Sequence, residues 1–164
     1  MGKDVGLSHS NIFGELENSQ FAKTRIGSER WLLAQSKSLG VIVFSSDEDL
    51  SMLCNSEVIV SDATFKTAPR NFYQVFTMHG KVKGEWCALA YALMENKKEV
   101  SYRFVFRSLK KQIKALGLQL KARHFLTDFE RGVMNAAEEL VEVDKIKGCL
   151  FHLSQALVHQ AHHL

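Results

Sequence analysis

The chain has 164 residues, 46% of them hydrophobic, which is typical of one domain with its own core rather than two. Its 21 basic and 18 acidic residues give a net charge of +3, which permits a phosphate-binding face without predicting one. The odd number and wide spacing of Cys54, Cys87 and Cys149 argue against a disulfide framework and favour a reducing compartment. The sequence shows neither an apolar signal core nor a run of about 18 apolar residues, so we expect a soluble intracellular protein without a membrane span.

The first part of the chain is predicted to be largely irregular. Residues 1–28 are polar and show no sustained hydrophobic period, so we expect a loose arm there, and 29–36 is a short mixed segment. Residues 40–44 are dense in β-branched side chains, which is typical of a strand. Ser45 and Glu48 then have the spacing of a capping box, which predicts a short helix.

Three strand-like runs follow, over residues 58–62, 72–79 and 86–94. Pro69 lies in the first connection and two glycines punctuate the second, so short turns and an antiparallel meander are predicted. The third run could also be a helix by its period alone, and the glycine before it favours the strand.

The second half of the chain alternates helices and strands. The predicted elements are, in order, a helix over 99–117, a strand over 122–126, a helix from a capping box at 127–130 to residue 141, a strand over 146–152 and a helix over 153–164. The predicted apolar face of the first helix consists of Val100, Phe104, Leu109, Ile113 and Leu116. The order βββαβαβα from residue 58 predicts an α/β fold, a mixed sheet with helices on both faces.

Two aspartates share a position in this layout. Asp62 ends the first strand of the meander, and Asp128 follows the strand after the long helix. If the two strands are neighbours, the carboxylates meet at one end of the sheet, where their repulsion would raise a pKa unless a divalent cation lies between them. Hard oxygen ligands suit Mg²⁺ or Mn²⁺, and the positive end of a helix beginning at Asp128 would favour its ionised form. Alternatively, Asp128 serves only as a helix N-terminal residue and Asp62 only as a turn residue.

Further candidate ligands are histidine, cysteine and basic side chains. Cys149 and His152 have a C-x-x-H spacing that zinc can use, but such a pair is half of a tetrahedral site, and a buried cysteine beside a polar histidine is the alternative. The histidines that could complete a site, or belong to a solvated helix end, are His159, His162 and His163. The basic residues that could contact phosphates, or be ordinary solvated surface, are Lys66, Arg70, Lys81 and Lys83 near the meander and Lys97, Lys98, Lys110, Lys111 and Lys114 near the long helix.

Several motifs, taken together, resemble one known family. They are Asp62-Ala-Thr-Phe-Lys66, the stretches 72–80 and 91–97, Tyr102-Arg103, Thr127-Asp-Phe-Glu130 and the stretch 148–157. In this order, from about residue 41 to residue 157, they resemble the catalytic domain of Mutator-like element (MULE) transposases. The resemblance implies a ribonuclease-H-like domain over 41–164, preceded by an N-terminal arm and upstream remnant over 1–40.

The resemblance also implies a chemistry. In DDE-type transposases three acidic residues hold two divalent metals, Mg²⁺ or Mn²⁺, for DNA cleavage and strand transfer. By this resemblance Asp62 is the first acid and Asp128 the second, and both are expected to be catalytic and metal-binding. Cys149 and His152 match the C-x-x-H signature of the family, whose role is open.

The sequence departs from the family pattern at two places. Ala63 stands where the family commonly has glycine, and the segment 153–164 contains no acidic residue, so the third acid is missing and we expect an incomplete enzyme. The expectation is a transposase-derived nuclear domain whose partner is DNA, with homo-oligomerisation left open. The alternatives are a non-catalytic, host-recruited DNA- or protein-binding module and a relic fragment.

Overall fold

The computed structural model describes residues 12–24 and 29–148, and these form one mixed sheet with helices. The strands are β1 (Leu32–Ser36), β2 (Val41–Phe44), β3 (Val58–Thr64), β4 (Gln74–Val82), β5 (Glu85–Met94), β6 (His124–Thr127) and β7 (Ile146–Gly148). The helices are α1 (Ile12–Glu15), α2 (Asp47–Asn55), α3 (Glu99–Ala115) and α4 (Arg131–Ala137), with 3₁₀ turns at Leu16–Asn18, Gln20–Ala22 and Val143–Lys145.

The strand order across the described sheet is β1-β2-β5-β4-β3-β6-β7. The pairs β3–β6 and β6–β7 are parallel and the other pairs are antiparallel, so the sheet is mixed. The α/β class and the antiparallel meander of β3, β4 and β5 are therefore confirmed. Of the predicted strand 146–152 only the first three residues are described, and the predicted helix 153–164 lies outside the described residues.

The two glycines predicted to punctuate the β4–β5 connection have different roles. Lys83 and Gly84, with φ of 51° and 91°, form the two-residue hairpin turn, because positive φ at both central positions matches the twist of the strands. Gly80 instead lies buried inside β4, where a Cβ would overlap the Oγ of Ser56. The prediction of Gly80 as a turn residue is wrong because close packing, not chain reversal, requires it.

One face of the sheet packs against α2, α3 and α4 to form the main core. Phe106 of α3 is at its centre, with ring centroids 5.9 Å from Phe76 of β4 and 5.8 Å from Phe125 of β6, both edge to face. Tyr102, one turn earlier, packs on Phe76 at 5.2 Å. Such pairs contribute stability beyond the area that they bury.

The buried side of α3 differs from the predicted one. Leu109 and Ile113 are buried as predicted, whereas Val100 and Leu116 are exposed. The buried residues of the helix are Ser101, Tyr102, Val105, Phe106, Leu109 and Ile113. The helix can bury Ser101 and Tyr102 instead of Val100 and Leu116 because the polar groups of Ser101 and Tyr102 have hydrogen-bond partners. These partners remove the cost of burying the two groups.

The opposite face carries a second, smaller cluster. Ile42 points away from Val41 and Val43 of the main core, since side chains alternate along a strand, and it packs with Phe13 and Leu16. The described helices among those predicted, α2, α3 and α4, all lie on the main-core face, and the opposite face is covered by α1 and the turn Leu16–Asn18, which were not predicted. The expectation of a loose arm is wrong for residues 12–22, and the mixed segment 29–36 contains β1, an edge strand of the described sheet.

Both predicted capping boxes are displaced or absent. The N-cap of α2 is Ser46, paired with Asp49, one residue later than predicted, because the Oγ of Ser45 is buried and donates to the carbonyl of Leu89 at 2.8 Å. Thr127 is a buried strand residue, and α4 begins only at Arg131 without a side-chain cap. Across the described parts of the chain, every helix is too short or too polar to span a bilayer.

Candidate active site

Asp62 and Asp128 are brought together by the register of two parallel strands. In β3 and β6 the paired residues are 58 with 124, 59 with 125 and 60 with 126, a constant difference of 66. Continuing this register by two residues brings Asp62, inside β3, opposite Asp128, directly after β6. Neighbouring strands lie about 4.8 Å apart, so the two backbone positions are adjacent. They lie at the end of the sheet where β3 and β6 finish, and we call this end the acid edge. The prediction that the two strands are neighbours is confirmed.

Asp62 is held by the central strands of the sheet. It pairs with Thr77 of β4, whose Oγ1 donates to the carbonyl of Asp62 at 3.3 Å. Its neighbour Ala63 packs against the main core, so the half-buried side chain of Asp62 is directed to the opposite face. A carboxylate in this position is anchored by rigid backbone on both sides.

Asp128 is held by a turn rather than by a helix. Its Oδ1 accepts a hydrogen bond from the backbone N–H of Glu130 at 3.2 Å, the geometry by which a short acidic side chain stabilises its own turn. The N-cap of α4 is Glu130, two residues later. The prediction that Asp128 opens the helix and is stabilised by its positive end is therefore wrong.

A buried polar pair lies behind the acid edge. Gln74, the first residue of β4, donates from Nε2 to the hydroxyl of Tyr102 at 2.8 Å. Burial raises the pKa of Tyr102 above its usual range, and this hydrogen bond lowers it only in part. The nearby charges of Glu130 and Asp128 and the hydroxyl of Tyr73 raise it further. Tyr102 is therefore a neutral hydroxyl beside the acidic residues. The sequence analysis missed the role of Gln74, because its only signal in the sequence is an amide at the start of an apolar strand.

The acidic character of the edge extends to Glu130. Desolvation raises the pKa of Glu130 and the negative charge of Asp128 raises it further, whereas Lys97 opposes both at 3.9 Å. No group of three or more His, Cys, Asp or Glu side chains that could hold a metal ion occurs in residues 12–24 and 29–148. Within this part of the chain, the two aspartates are the candidate ligands that the strand register brings together.

The four basic residues predicted to contact DNA fall into two separate pairs. Lys66 and Arg70 are exposed in the β3–β4 connection, which leaves the sheet at the acid edge. Lys81 and Lys83 lie at the hairpin tip of β4 and β5, about 14 and 20 Å along β4 from Thr77, the partner of Asp62. Only the first pair lies in the connection that follows the strand of Asp62.

Other candidate residues are remote from the edge or outside the described chain. Lys110, Lys111 and Lys114 are exposed near the C-terminal end of α3. The residues that lie outside the described part are Cys149, His152, His159, His162 and His163.

Comparison with known proteins assigns the chain to a family. A family model described as the MULE transposase domain matches residues 58–156, more than half of the chain, from the start of β3 to beyond β7. The match includes both aspartates of the acid edge. Comparison with curated proteins finds no match. The chain belongs to the MULE transposase domain family.

Proposed function

We propose that this transposase-derived domain binds DNA at the acid edge, for the metal-dependent cleavage and strand transfer of a DDE-type transposase with a ribonuclease-H-like fold. The observation that carries the proposal is the parallel β3–β6 register, which aligns Asp62 with Asp128. The location consistent with this activity is the nucleus, where the substrate DNA lies.

The residues present fit a divalent cation. Two carboxylates at the ends of adjacent strands would supply hard oxygen ligands, and a cation between them would offset their repulsion. The ion that this donor set favours is Mg²⁺ or Mn²⁺. When bound, such metals activate a water or a DNA 3′-hydroxyl and stabilise the leaving oxygen.

The chain's own residues would hold and orient the DNA. The backbone of Asp62 is fixed by its pairing with β4, and the carboxylate of Asp128 is held by its turn, which preorganises the position of both acids. Lys66 and Arg70, exposed in the connection that follows β3, would contact phosphates of the bound DNA. Since in-line displacement needs both metals accurately held, we expect an edge with two acids to bind metal weakly and to cleave DNA little on its own.

The test is a calorimetric titration of the full chain with Mn²⁺. Asp62→Asn and Asp128→Asn should each weaken binding, because each removes one charged oxygen ligand from a shared ion. The matched control is Asp144→Asn, an exposed aspartate before β7 at the opposite end of the sheet, which should leave binding unchanged.

Two results would contradict the proposal. Mn²⁺ binding that neither Asp62→Asn nor Asp128→Asn alters would place the ion elsewhere. No Mn²⁺ binding, together with salt-sensitive DNA binding that survives Asp62→Asn, would support the non-catalytic binding module instead.

A further inference from the structure

Three aromatic side chains are about half exposed at the acid edge. Phe65 is 50% exposed, Tyr73 49% and Phe129 51%. Phe65 follows Asp62 by three residues at the end of β3, Phe129 directly follows Asp128, and Tyr73 directly precedes β4. The three rings therefore follow the strand order β4-β3-β6 along one edge. Clustered exposed rings beside a polar site indicate a surface that meets a ligand.

The rings are held in place by the protein. Phe65 and Tyr73 pack edge to face, with centroids 5.3 Å apart and an interplanar angle of 73°. Phe129 rests on the backbone of β7, where a Cβ at Gly148 would overlap its ring. Each ring thus has one supported side and one open side, and a fixed ring loses little conformational entropy when a ligand stacks on it.

The rings lie beside the acids in space as well as in sequence. Tyr73 and Asp128 both act electrostatically on the hydroxyl of Tyr102, so both lie near the same buried group. Phe65 contacts Tyr73 directly.

Exposed cations surround the rings. Lys66 and Arg70 are in the same connection as Phe65, and Arg131 follows Phe129 by two residues. These three make no ion pair with any residue of 12–24 or 29–148. Aromatic faces interleaved with cations are what an unpaired nucleic-acid strand requires, because its bases stack on rings while its phosphates meet charge. A duplex buries its base faces and can use only the cations.

We propose that Phe65, Tyr73 and Phe129 form a stacking platform for the unpaired bases of a DNA strand, with phosphate contacts from Lys66, Arg70 and Arg131. The platform would place a frayed or single-stranded DNA end next to Asp62 and Asp128. This inference rests on the proposed function for the identity of the ligand, but the stacking itself requires no metal.

The test compares a labelled single strand of about 12 nucleotides, within the usual site size, with its duplex by fluorescence anisotropy in EDTA. We expect Phe65→Ala and Phe129→Ala each to weaken single-strand binding about five- to hundredfold, the range for loss of one base–aromatic stack. Duplex binding should be unchanged, since it depends on the cations. Phe65→Tyr, which keeps a ring, should bind the single strand as tightly as the unsubstituted chain does. Phe65→Leu, which is apolar but has no ring, should bind it as weakly as Phe65→Ala.

The matched control is Trp86→Ala. Trp86 is 52% exposed and lies at the hairpin end of the sheet, far from the acids, so its loss should not affect single-strand binding. Because all the substituted rings are about half exposed and lie outside the main core, circular dichroism should show the same fold in every variant.

Four results would overturn the platform: no single-strand binding by the unsubstituted chain, an equal loss on Trp86→Ala, an equal loss of duplex binding, or a dimer in sedimentation that Phe65→Ala abolishes. The last would assign the rings to a second copy of the chain. The two proposals fail separately. Ring-dependent strand binding in EDTA without Mn²⁺ binding would contradict only the proposed chemistry. Mn²⁺ binding that needs both aspartates, without ring-dependent strand binding, would contradict only the platform.

Discussion

The two faces of the sheet differ in what they contribute. The face under α3 is a closed core in which aromatic rings from a helix and two strands interlock around Phe106. The opposite face is covered at β2 by Phe13 and Leu16, and along β3 it is only half buried where Asp62 lies. Packing stability is thus concentrated on one face, which leaves the other free to carry charged groups that a core would reject.

The largest effect that would test this difference is expected at Phe106. Phe106→Ala should lower the free energy of unfolding by about 3–5 kcal/mol, because it removes a fully buried ring and leaves a cavity between Phe76 and Phe125. Urea denaturation measures it. Val100→Ala, at a position 51% exposed on the same helix, should cost about 0.5 kcal/mol or less. Equal costs at the two positions would show that the α3 face is not the main source of stability.

A smaller effect is expected on the opposite face. Leu16→Ala should cost about 1–2 kcal/mol in the same urea experiment, because Leu16 is buried but belongs to a small cluster with Phe13 and Ile42. Glu17→Ala, at the exposed neighbouring position, is the control. A cost for Leu16→Ala as large as that for Phe106→Ala would contradict the assignment of packing stability to one face.

The smallest effect is a pH dependence on the helical side. Glu139 accepts hydrogen bonds from Arg107 at 2.8 Å and Arg103 at 2.7 Å, which lower the pKa of Glu139 to about 2. Because the folded pKa lies below the usual 4.5, this contribution to stability is complete above pH 4.5 and is lost as the pH falls through about 2. Glu139→Gln should flatten the pH dependence of unfolding in that window, measured by thermal melts. Glu138→Gln, its exposed neighbour, should not; an identical slope in both variants would contradict the assignment.

Much of the fold could be predicted because its central strands have strong local signals. The meander of β3, β4 and β5 is visible in apolar runs separated by turn residues, whereas the pairing of β3 with β6 entered the sequence analysis only as a condition. The alignment of Asp62 with Asp128 follows only when the strand order places β6 beside β3.

What could not be predicted depends on partners distant in sequence. Ser45 and Ser46 both have an acid three residues later, and only the contact of Ser45 with Leu89 decides which one caps α2. Similarly, Tyr102 turns inward because Gln74, 28 residues earlier, binds its hydroxyl. The sequence of residues 12–22 has no regular hydrophobic period because these residues are structured by packing on the sheet face that they cover.

The exposed rings were missed for a related reason. In sequence, Phe65, Tyr73 and Phe129 are single aromatic residues in connections, and no period distinguishes them from ordinary loop residues. Their shared position becomes visible only when the strand order is known.

The β3–β6 pairing has a consequence for how the protein folds. The hairpins of the meander join residues close in sequence, whereas β6 pairs with β3 only after α3 has crossed the sheet, and the paired residues are 66 positions apart. Non-local pairings of this kind form slowly because their loop-closure entropy is paid before the contact is made. We therefore expect the acid edge to be assembled late in folding, so that a ligand contacting both aspartates would bind only the completed fold.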